Sequence, residues 1–362
     1  VKGSKKVVFD LISRRNTLKD TNGNYKDRGH YEILTQAKDS KNHLPVSGLE
    51  DAAFTLYENG IKHDEAKIRV HEAPKEVENQ ILLLLDFSDS VIGDCDQVQA
   101  LYQRDTGRYI VQNVEEVKED NLCYKLITSA EHFVDKTVDN GQKMAIFYFN
   151  SKVEITALVT STTASTTGDV ELLKQGLEKL YDPQFRRDNL EGYDSTNLFG
   201  AVIEATKTAC HWVDNCNYDN YTPSKEIDKS KLQFASIVVF TDGRDQAQRE
   251  TEDEMLDFIQ RHNANFYYTI GLGDVNRKVL SQIGKDGFEV ADNLGELDTK
   301  FSQLGNILNA WGSSFYRIEY CPAQQEGKVD IRIDVKDPVT GEYGSITDRI
   351  TLPQGVDIRC DL

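Results

Sequence analysis

The sequence has no long hydrophobic segment, few histidines and no closely spaced cysteine pair, and each absence narrows the class of protein. No stretch of the 362 residues approaches about eighteen consecutive apolar residues, so no membrane-spanning helix is expected. The seven histidines are scattered, and no His-Glu-x-x-His, Walker loop or Gly-x-Ser-x-Gly motif occurs. No Cys-x-x-Cys occurs, so zinc and thioredoxin-type chemistry have no support. The sequence therefore predicts a protein that is not an enzyme.

Positive charge is also scarce relative to negative charge. The chain has 42 Lys and Arg against 60 Asp and Glu, which gives a formal net charge of −18. Because such a protein repels phosphate backbones and anionic lipid surfaces, we expect no nucleic-acid partner. The excess carboxylates either keep the surface solvated or indicate a setting rich in divalent cations, and the composition leaves both readings open.

The six cysteines form three sequence-local groups. An even number of cysteines predicts disulfides and an oxidising, extracytoplasmic location, whether secreted, periplasmic or at a cell surface. The candidate pairs are Cys95–Cys123, Cys210–Cys216 and Cys321–Cys360. Other pairings, and free buried thiols in a cytosolic protein, remain alternatives. Residues 1–4 do not resemble a signal peptide, so we expect the sequence to begin at the start of a mature or excised fragment.

Residue patterns divide the chain into three segments: 1–76, 77–313 and 314–362. The middle segment alternates apolar strands with helices, which predicts an α/β domain with a doubly wound, mostly parallel sheet covered on both faces. The two outer segments contain short strands and are too small for two good separate cores. We therefore expect them to form one immunoglobulin-like β-sandwich, with the α/β domain inserted.

The middle segment predicts six strands and six helices. The strands are 80–85, 144–149, 153–158, 234–240, 266–270 and 288–290. The helices lie near 126–139, 170–180, 198–213, 251–261, 278–283 and 294–311. The last strand of the third segment is predicted at 356–359.

Side chains with hard oxygen ligands stand where the predicted strands end. Asp86, Ser88 and Ser90 follow the first apolar strand, Thr196 opens a helix, and Asp242 follows a later strand. Carboxylates and hydroxyls suit Mg²⁺, Mn²⁺ or Ca²⁺. In open α/β sheets ligands bind at the carboxyl ends of strands, so these residues are expected to share one edge.

The order Asp-x-Ser-x-Ser, a lone Thr and then Thr-Asp-Gly resembles the von Willebrand factor A family and its metal-ion-dependent adhesion site. The resemblance implies that Ser88, Ser90 and Thr196 bind the cation through their hydroxyls. It implies that Asp86 and Asp242 act directly or through water. Mg²⁺ is the expected cation, with Mn²⁺ or Ca²⁺ as alternatives. The implied partner is a protein that presents an Asp or Glu side chain, and an unused site is the alternative.

A second, shorter resemblance concerns the setting of the protein. Residues 45–49 and 54–60 resemble a segment that precedes von Willebrand A domains in bacterial surface proteins and lipoproteins. Together the two resemblances predict divalent-cation-dependent adhesion or protein recognition by a bacterial secreted or surface protein, with host or neighbouring cells among its targets. One alternative is an assembly subunit of a pilus tip or envelope complex. Another is a cytosolic partner of a chelatase or ATPase.

Two polar insertions interrupt the family pattern. The first spans about 93–122 and the second 215–231. Cysteines flank the first and lie at the base of the second, so both are expected to form closed loops with a role in specificity. The first is expected to rise on the same face of the sheet as the metal.

Overall fold

The computed structural model gives two compact units, Val1–Val77 with Asn309–Leu362, and Glu78–Leu308. The described residues are 7–16, 31–39, 45–63, 68–72, 77–138, 142–159, 166–190, 195–213, 232–262, 265–312, 314–323, 326–336, 341 and 343–352. Among them, no helix is long and apolar enough to cross a membrane.

The strands and helices of the described residues are numbered along the chain. The strands are β1 (Val7–Asn16), β2 (Tyr31–Asp39), β3 (Phe54–Glu58), β4 (Ile61–Lys62), β5 (Ile68–Glu72), β6 (Val77–Asp86), β7 (Ala100–Gln103), β8 (Arg108–Val111), β9 (Lys143–Phe149), β10 (Thr156–Ala157), β11 (Leu232–Thr241), β12 (Phe266–Leu272), β13 (Gly287–Ala291), β14 (Phe315–Tyr320), β15 (Gly327–Lys336) and β16 (Tyr343–Leu352). The helices are α1 (Asp89–Cys95), α2 (Val114–Val117), α3 (Leu122–Val138), α4 (Val170–Glu178), α5 (Pro183–Asn189), α6 (Leu198–Cys210), α7 (Glu252–Arg261), α8 (Arg277–Ile283) and α9 (Leu294–Gly312).

The larger unit has a six-stranded sheet in the order β10-β9-β6-β11-β12-β13. β6 runs parallel to β9, and β12 runs parallel to both β11 and β13, whereas β10 is antiparallel to β9. The predicted mixed α/β class with a mostly parallel sheet is confirmed. β6 comes first along the chain and lies between β9 and β11, so the strand order reverses beside it.

Both faces of this sheet are buried, which explains why the strands have few polar residues. Leu82 and Leu84 belong to a core cluster that includes residues of α6, α7 and α8. A separate aromatic group contains Phe240 of β11 and Phe133 of α3, whose rings lie 6.1 and 5.7 Å from that of Phe301 in α9. A strand covered on both faces needs a nearly continuous apolar sequence instead of an alternating one.

The smaller unit contains two four-stranded sheets, ordered β1-β2-β14-β5 and β16-β15-β3-β4. The two outer segments of the chain meet in both, because β14 pairs with β2 and β5, and β15 pairs with β3. Alternate residues of β3 and β15 are buried. One apolar cluster joins side chains from the two sheets, including Ile318 and Ile333. Period-two burial of this kind is typical of sheets with one face in a core.

The turn at residues 46–49 is fixed inside the smaller unit by one buried tyrosine, Tyr316. The Tyr316 hydroxyl donates to the carbonyl of Val46 at 3.0 Å and accepts from the amide of Leu49 at 3.2 Å. Gly48 between them has φ +72°, a left-handed conformation that favours glycine. The glycine and the hydrogen bonds of Tyr316 therefore both favour the same turn at residues 46–49.

One predicted strand needs correction, one helix was not predicted, and two predicted segments lie outside the described residues. The predicted strand at 153–158 is reduced to β10, because the Asn150 side chain accepts the Lys152 amide at 2.9 Å and forms a turn. Helix α5 was not predicted, although Pro183 at its first turn and Asp182 as its N-cap are a helix-start signal. The predicted strand at 356–359 and the insertion at 215–231 lie outside the described residues.

The first insertion is closed by the predicted disulfide between Cys95 and Cys123, whose Cα atoms lie 5.1 Å apart. Helix α1 begins at Asp89, within the Asp-x-Ser-x-Ser motif, and the β7–β8 hairpin and α2 follow it. Cys210 and Cys321 are also disulfide-bonded. Their predicted partners, Cys216 and Cys360, lie outside the described residues, so those two pairings stay predictions.

The hairpin packs against helices α3 and α4, and the expectation that it rises on the same face of the sheet as the metal stays a prediction. Arg108 of β8 forms ion pairs with Glu171 and Glu178 of α4 and with Glu131 of α3, at 2.8, 2.5 and 3.2 Å. The Gln175 side chain of α4 donates to the carbonyl of Thr106 in the hairpin turn at 3.0 Å. A single arginine among three carboxylates therefore draws the insertion onto α3 and α4.

Candidate metal centre

The predicted site residues lie where β6 and β11 end, at the reversal of strand order. Asp86 is the last residue of β6, and Asp242 directly follows the last residue of β11, which is the neighbouring strand. Thr196 lies two residues before α6. Ligand sites in open α/β sheets occur in this crevice.

Asp86 is fully buried and both of its carboxylate oxygens accept hydrogen bonds. The amide of Ser88 donates to Oδ1 at 3.2 Å, and the hydroxyl of Thr241 donates to Oδ2 at 2.6 Å. These two hydrogen bonds fix the orientation of the Asp86 carboxylate. Of the two roles that the resemblance implies, direct binding and binding through water, these hydrogen bonds favour binding through water.

The two serines point their hydroxyls towards each other and towards Asp242. Ser88 is the N-cap residue of α1, yet its side chain makes no capping bond and its Oγ lies 3.4 Å from Ser90 Oγ. Ser90 Oγ donates to Asp242 Oδ2 at 2.7 Å. Asp242 Oδ1 is buried and has no hydrogen-bond partner among the described residues. Buried carboxylate oxygens are normally paired, so this oxygen is a candidate ligand atom for a cation.

Thr196 is held beside the Asp242 loop by backbone bonds. Its carbonyl accepts the amides of Gln246 at 2.8 Å and Ala247 at 3.1 Å. A Cβ built on Gly243 would lie 3.5 Å from Thr196 Oγ1, so the hydroxyl faces the residue after Asp242. The structure therefore brings all five predicted residues to one edge of the sheet, with Thr196 reaching it through the loop.

The two carboxylates repel each other in a dry environment. Burial, followed by the nearby charge of Asp242, raises the pKa of Asp86 to about 7. Burial raises the pKa of Asp242 as well, and Asp94 adds to the effect. A bound cation reverses this effect, because a positive charge beside carboxylates favours their ionised forms.

The chemistry of the candidate ligand side chains fits a hard divalent cation. The two carboxylates and three hydroxyls provide only oxygen ligands. One of these oxygens, Asp242 Oδ1, is buried without a hydrogen-bond partner in the described part of the chain. No group of three or more His, Cys, Asp or Glu side chains suited to a metal occurs in the described part of the chain. The candidate site has only two carboxylates, so its ability to bind a cation depends on the hydroxyls.

Sequence reasoning missed three residues that hold this site together. Thr241 binds Asp86, the backbone carbonyl of Asn150 accepts the amide of Asn197 at 3.0 Å, and Asp245 accepts the amide of Phe199 at 3.2 Å. Thr241 belongs to the Thr-Asp-Gly motif, so its place in the sequence was a usable signal. The other two act across long sequence separations that leave no local pattern.

No protein-family model matches the chain, and no curated protein matches it. Among solved structures, proximal thread matrix protein 1 from the mussel byssus is 13% identical with a TM-score of 0.39, over 64% of this chain and 48% of that one. The ArnB paralog VWA2 from Sulfolobus acidocaldarius is 12% identical with a TM-score of 0.41, over 96% and 75%. The TFIIH p34 N-terminal domain is 13% identical with a TM-score of 0.38, over 63% and 98%. The chain spans about half the length of the mussel protein.

Proposed function

We propose that this chain is a protein-recognition module whose binding depends on a divalent cation held in a site of the von Willebrand factor A type. The proposed partner is a protein that presents an Asp or Glu side chain. The proposed setting is adhesion or recognition by a secreted or surface-exposed bacterial protein. Mg²⁺ is the proposed cation, with Mn²⁺ or Ca²⁺ as alternatives.

The observation that supports the proposal best is the unpaired oxygen of Asp242. Asp242 Oδ2 accepts a hydrogen bond from the Ser90 hydroxyl, while Asp242 Oδ1 is buried without a partner in the described part of the chain. An unsatisfied buried carboxylate oxygen costs free energy, and a directly or water-coordinated cation would remove that cost. The nearby Ser88 hydroxyl, which is not used to cap α1, supports the same assignment.

Each residue has a distinct role in the proposal. Ser88, Ser90 and Thr196 would bind the cation through neutral hydroxyl oxygens. Asp86 and Asp242 would balance its charge, directly or through water. When bound, the cation would supply an electrophilic centre that accepts a carboxylate oxygen from the partner. Neutral hydroxyls leave more of the cation's charge available than carboxylates do. This donor set therefore favours recognition of an anion, and we assign the site no catalytic step.

The proposal also includes the cellular location of the protein and the fold of the smaller unit. The Cys95–Cys123 disulfide supports an extracytoplasmic, oxidising location. The two four-stranded sheets with a shared apolar cluster support an immunoglobulin-like β-sandwich in the smaller unit. The α/β unit would then be a recognition domain carried in the middle of that chain.

Thermal unfolding in EDTA and in Mg²⁺ tests the proposal. At about a hundred times its dissociation constant, Mg²⁺ is expected to stabilise the wild-type protein by about 2.7 kcal/mol. The Ser90→Ala variant is expected to lose most of this gain, because it removes one hydroxyl ligand. Ser90 is exposed, so the substitution leaves the core intact.

Ser281→Ala is the matched control. Its hydroxyl donates to the carbonyl of Lys278 on α8, and it is exposed like Ser90. This variant is expected to keep the full Mg²⁺ gain. Equal gains in wild type and Ser90→Ala, or no gain with Mg²⁺, Mn²⁺ or Ca²⁺ in wild type, would contradict the proposal.

A further inference from the structure

Two asparagine side chains join the turn after β9 to the start of α6, next to Thr196. The Asn150 side-chain oxygen accepts the amide of Lys152 at 2.9 Å, and the Asn197 side-chain amide donates to the carbonyl of Lys152 at 2.9 Å. The backbone amide of Asn197 also donates to the carbonyl of Asn150 at 3.0 Å. Both asparagines are only 1% exposed. These three hydrogen bonds are called the asparagine clasp below.

The clasp holds a candidate cation ligand from one side. Thr196 directly precedes Asn197, and its own carbonyl accepts two amides of the loop after β11. Asn150 directly follows the last residue of β9, which is opposite Asp86 in the parallel pairing with β6. The clasp therefore ties Thr196 to the strand beside Asp86, while the bonds of its carbonyl tie it to the loop that carries Asp242.

Asn197 does not have the usual function of an asparagine at its position. It is the N-cap residue of α6, yet its side chain makes no capping bond, although asparagine is among the best capping residues. Asp245 instead accepts the amide of Phe199 at 3.2 Å. The Asn197 side-chain oxygen and the Asn150 side-chain nitrogen are buried without a hydrogen-bond partner among the described residues. Such atoms lower stability, so the clasp is not optimised for stability.

The amide of Asn197 reaches Lys152 because position 200 has no side chain. A Cβ built on Gly200 would lie 2.5 Å from Asn197 Nδ2 and 2.7 Å from Asn197 Oδ1, closer than real Cβ contacts. Gly200 is buried inside α6, where alanine would favour the helix more than glycine does. A side chain at this position would displace the Asn197 amide from the carbonyl of Lys152. The glycine therefore favours the clasp at the expense of helix propensity.

We infer that Asn150, Asn197 and Gly200 are positioning residues of the candidate cation site. They hold the backbone of Thr196 so that its hydroxyl can bind the cation, and they thereby set the affinity for Mg²⁺. The inference rests on the proposed function. None of the three residues is expected to touch the cation itself. Residues that orient metal ligands typically change metal affinity by about tenfold to a hundredfold when they are replaced.

Isothermal titration calorimetry with Mg²⁺ alone, on the chain after EDTA treatment and dialysis, tests the inference. Gly200→Ala is expected to weaken Mg²⁺ binding about tenfold, because the new methyl group displaces the Asn197 amide. Urea unfolding in EDTA measures the stability of each variant separately. A residue with a purely structural role would change the midpoint of unfolding but not the Mg²⁺ dissociation constant of the folded protein.

Gly176→Ala is the matched control. Gly176 is also a buried glycine inside a helix, α4, and a Cβ there would lie 2.5 Å from Val159 Cγ2. The substitution therefore creates a similar clash against a residue that takes no part in the clasp. Gly176→Ala is expected to change the midpoint of unfolding and to leave the Mg²⁺ dissociation constant within about twofold of the wild-type value.

Asn197→Ala tests whether the glycine acts through the asparagine, and it decides the question if Gly200→Ala does not fold. This variant lacks the side-chain bond to Lys152 and is expected to bind Mg²⁺ about tenfold more weakly than wild type. Adding Gly200→Ala to it is expected to cause no further loss, because the amide that the methyl group would displace is absent. Losses that multiply in the double variant would overturn the inference.

Failure of the inference is distinguishable from failure of the proposed function. Wild-type affinity for Mg²⁺ in both Gly200→Ala and Asn197→Ala overturns the inference but leaves the cation-dependent function intact. An equal loss of affinity in Gly176→Ala also overturns it, because the effect would then follow from any clash inside a helix. If the wild type binds none of Mg²⁺, Mn²⁺ and Ca²⁺, the proposed function fails and the inference fails with it.

Discussion

In EDTA, Asp86→Asn is expected to make the protein more stable at neutral pH, by up to roughly 4 kcal/mol. The folded protein raises the pKa of Asp86 from 3.8 to about 7, through burial and then through the charge of Asp242. Well below pH 4 the carboxyl is protonated in both folded and unfolded chains, so its raised pKa does not change the free energy of unfolding. As the pH rises from about 4 to 7, the unfolded chain releases this proton more readily, so wild-type stability falls. Asparagine has no proton to release.

The substitution preserves the local hydrogen bonds. The Ser88 amide can still donate to the remaining side-chain oxygen, and the Thr241 hydroxyl can accept from the new amide group. Urea unfolding from pH 4 to 8 measures the effect as a difference between variant and wild type that grows with pH. With saturating Mg²⁺ the sign is expected to reverse, because the cation stabilises the ionised Asp86 of the wild type and the variant loses that gain.

Glu131→Gln is the control for this experiment. Burial and the charge of Glu178 raise the pKa of Glu131, whereas Arg108, which lies 3.2 Å away in the hairpin, lowers it. This variant is also expected to gain stability in EDTA as the pH rises. Its gain is expected to be unaffected by Mg²⁺. An Asp86→Asn effect that Mg²⁺ leaves unchanged would show that the raised pKa of Asp86 is unrelated to cation binding.

Loss of the Cys95–Cys123 disulfide is expected to lower the free energy of unfolding by about 3.5 kcal/mol. The bond closes a loop with a sequence separation of 28 residues, which restricts the unfolded chain. Urea unfolding of Cys95→Ala, Cys123→Ala and the double variant measures this loss. Each single variant already breaks the link, so the double variant is expected to lose little more. Losses that add from the two single variants would indicate packing instead of the cross-link.

The residues of the site were predictable from the sequence, because they follow the ends of recognisable strands. An apolar run such as residues 81–85 is recognisable as a buried strand, and parallel strands bring their carboxyl ends to one edge. Asp86 and Asp242 therefore meet although they are far apart in the chain. The internal hydrogen bonds were not predictable in the same way, because Thr241 contacts Asp86 only once β6 and β11 are aligned.

The course of the first insertion was not predictable, since long-range charges determine it. Arg108 contacts Glu178, which is 70 residues away, and no local pattern marks this pair. The sequence predicted a closed loop with a role in specificity, but it gave no sign of the partly buried cluster of charges that holds the loop on α3 and α4. Turn chemistry had a similar effect at Asn150, whose side chain replaces the first part of a predicted strand with a turn.

The most direct test of the account is anomalous diffraction from crystals of the chain soaked in Mn²⁺. The account predicts one strong peak at the edge where β6 and β11 end, with oxygens of Ser88, Ser90 and Thr196 at about 2.0–2.6 Å from it. Asp86 and Asp242 are expected to lie in contact with the ion or one water away. No peak at this edge at saturating Mn²⁺, or a peak elsewhere alone, would contradict the central claim that these five residues bind a divalent cation.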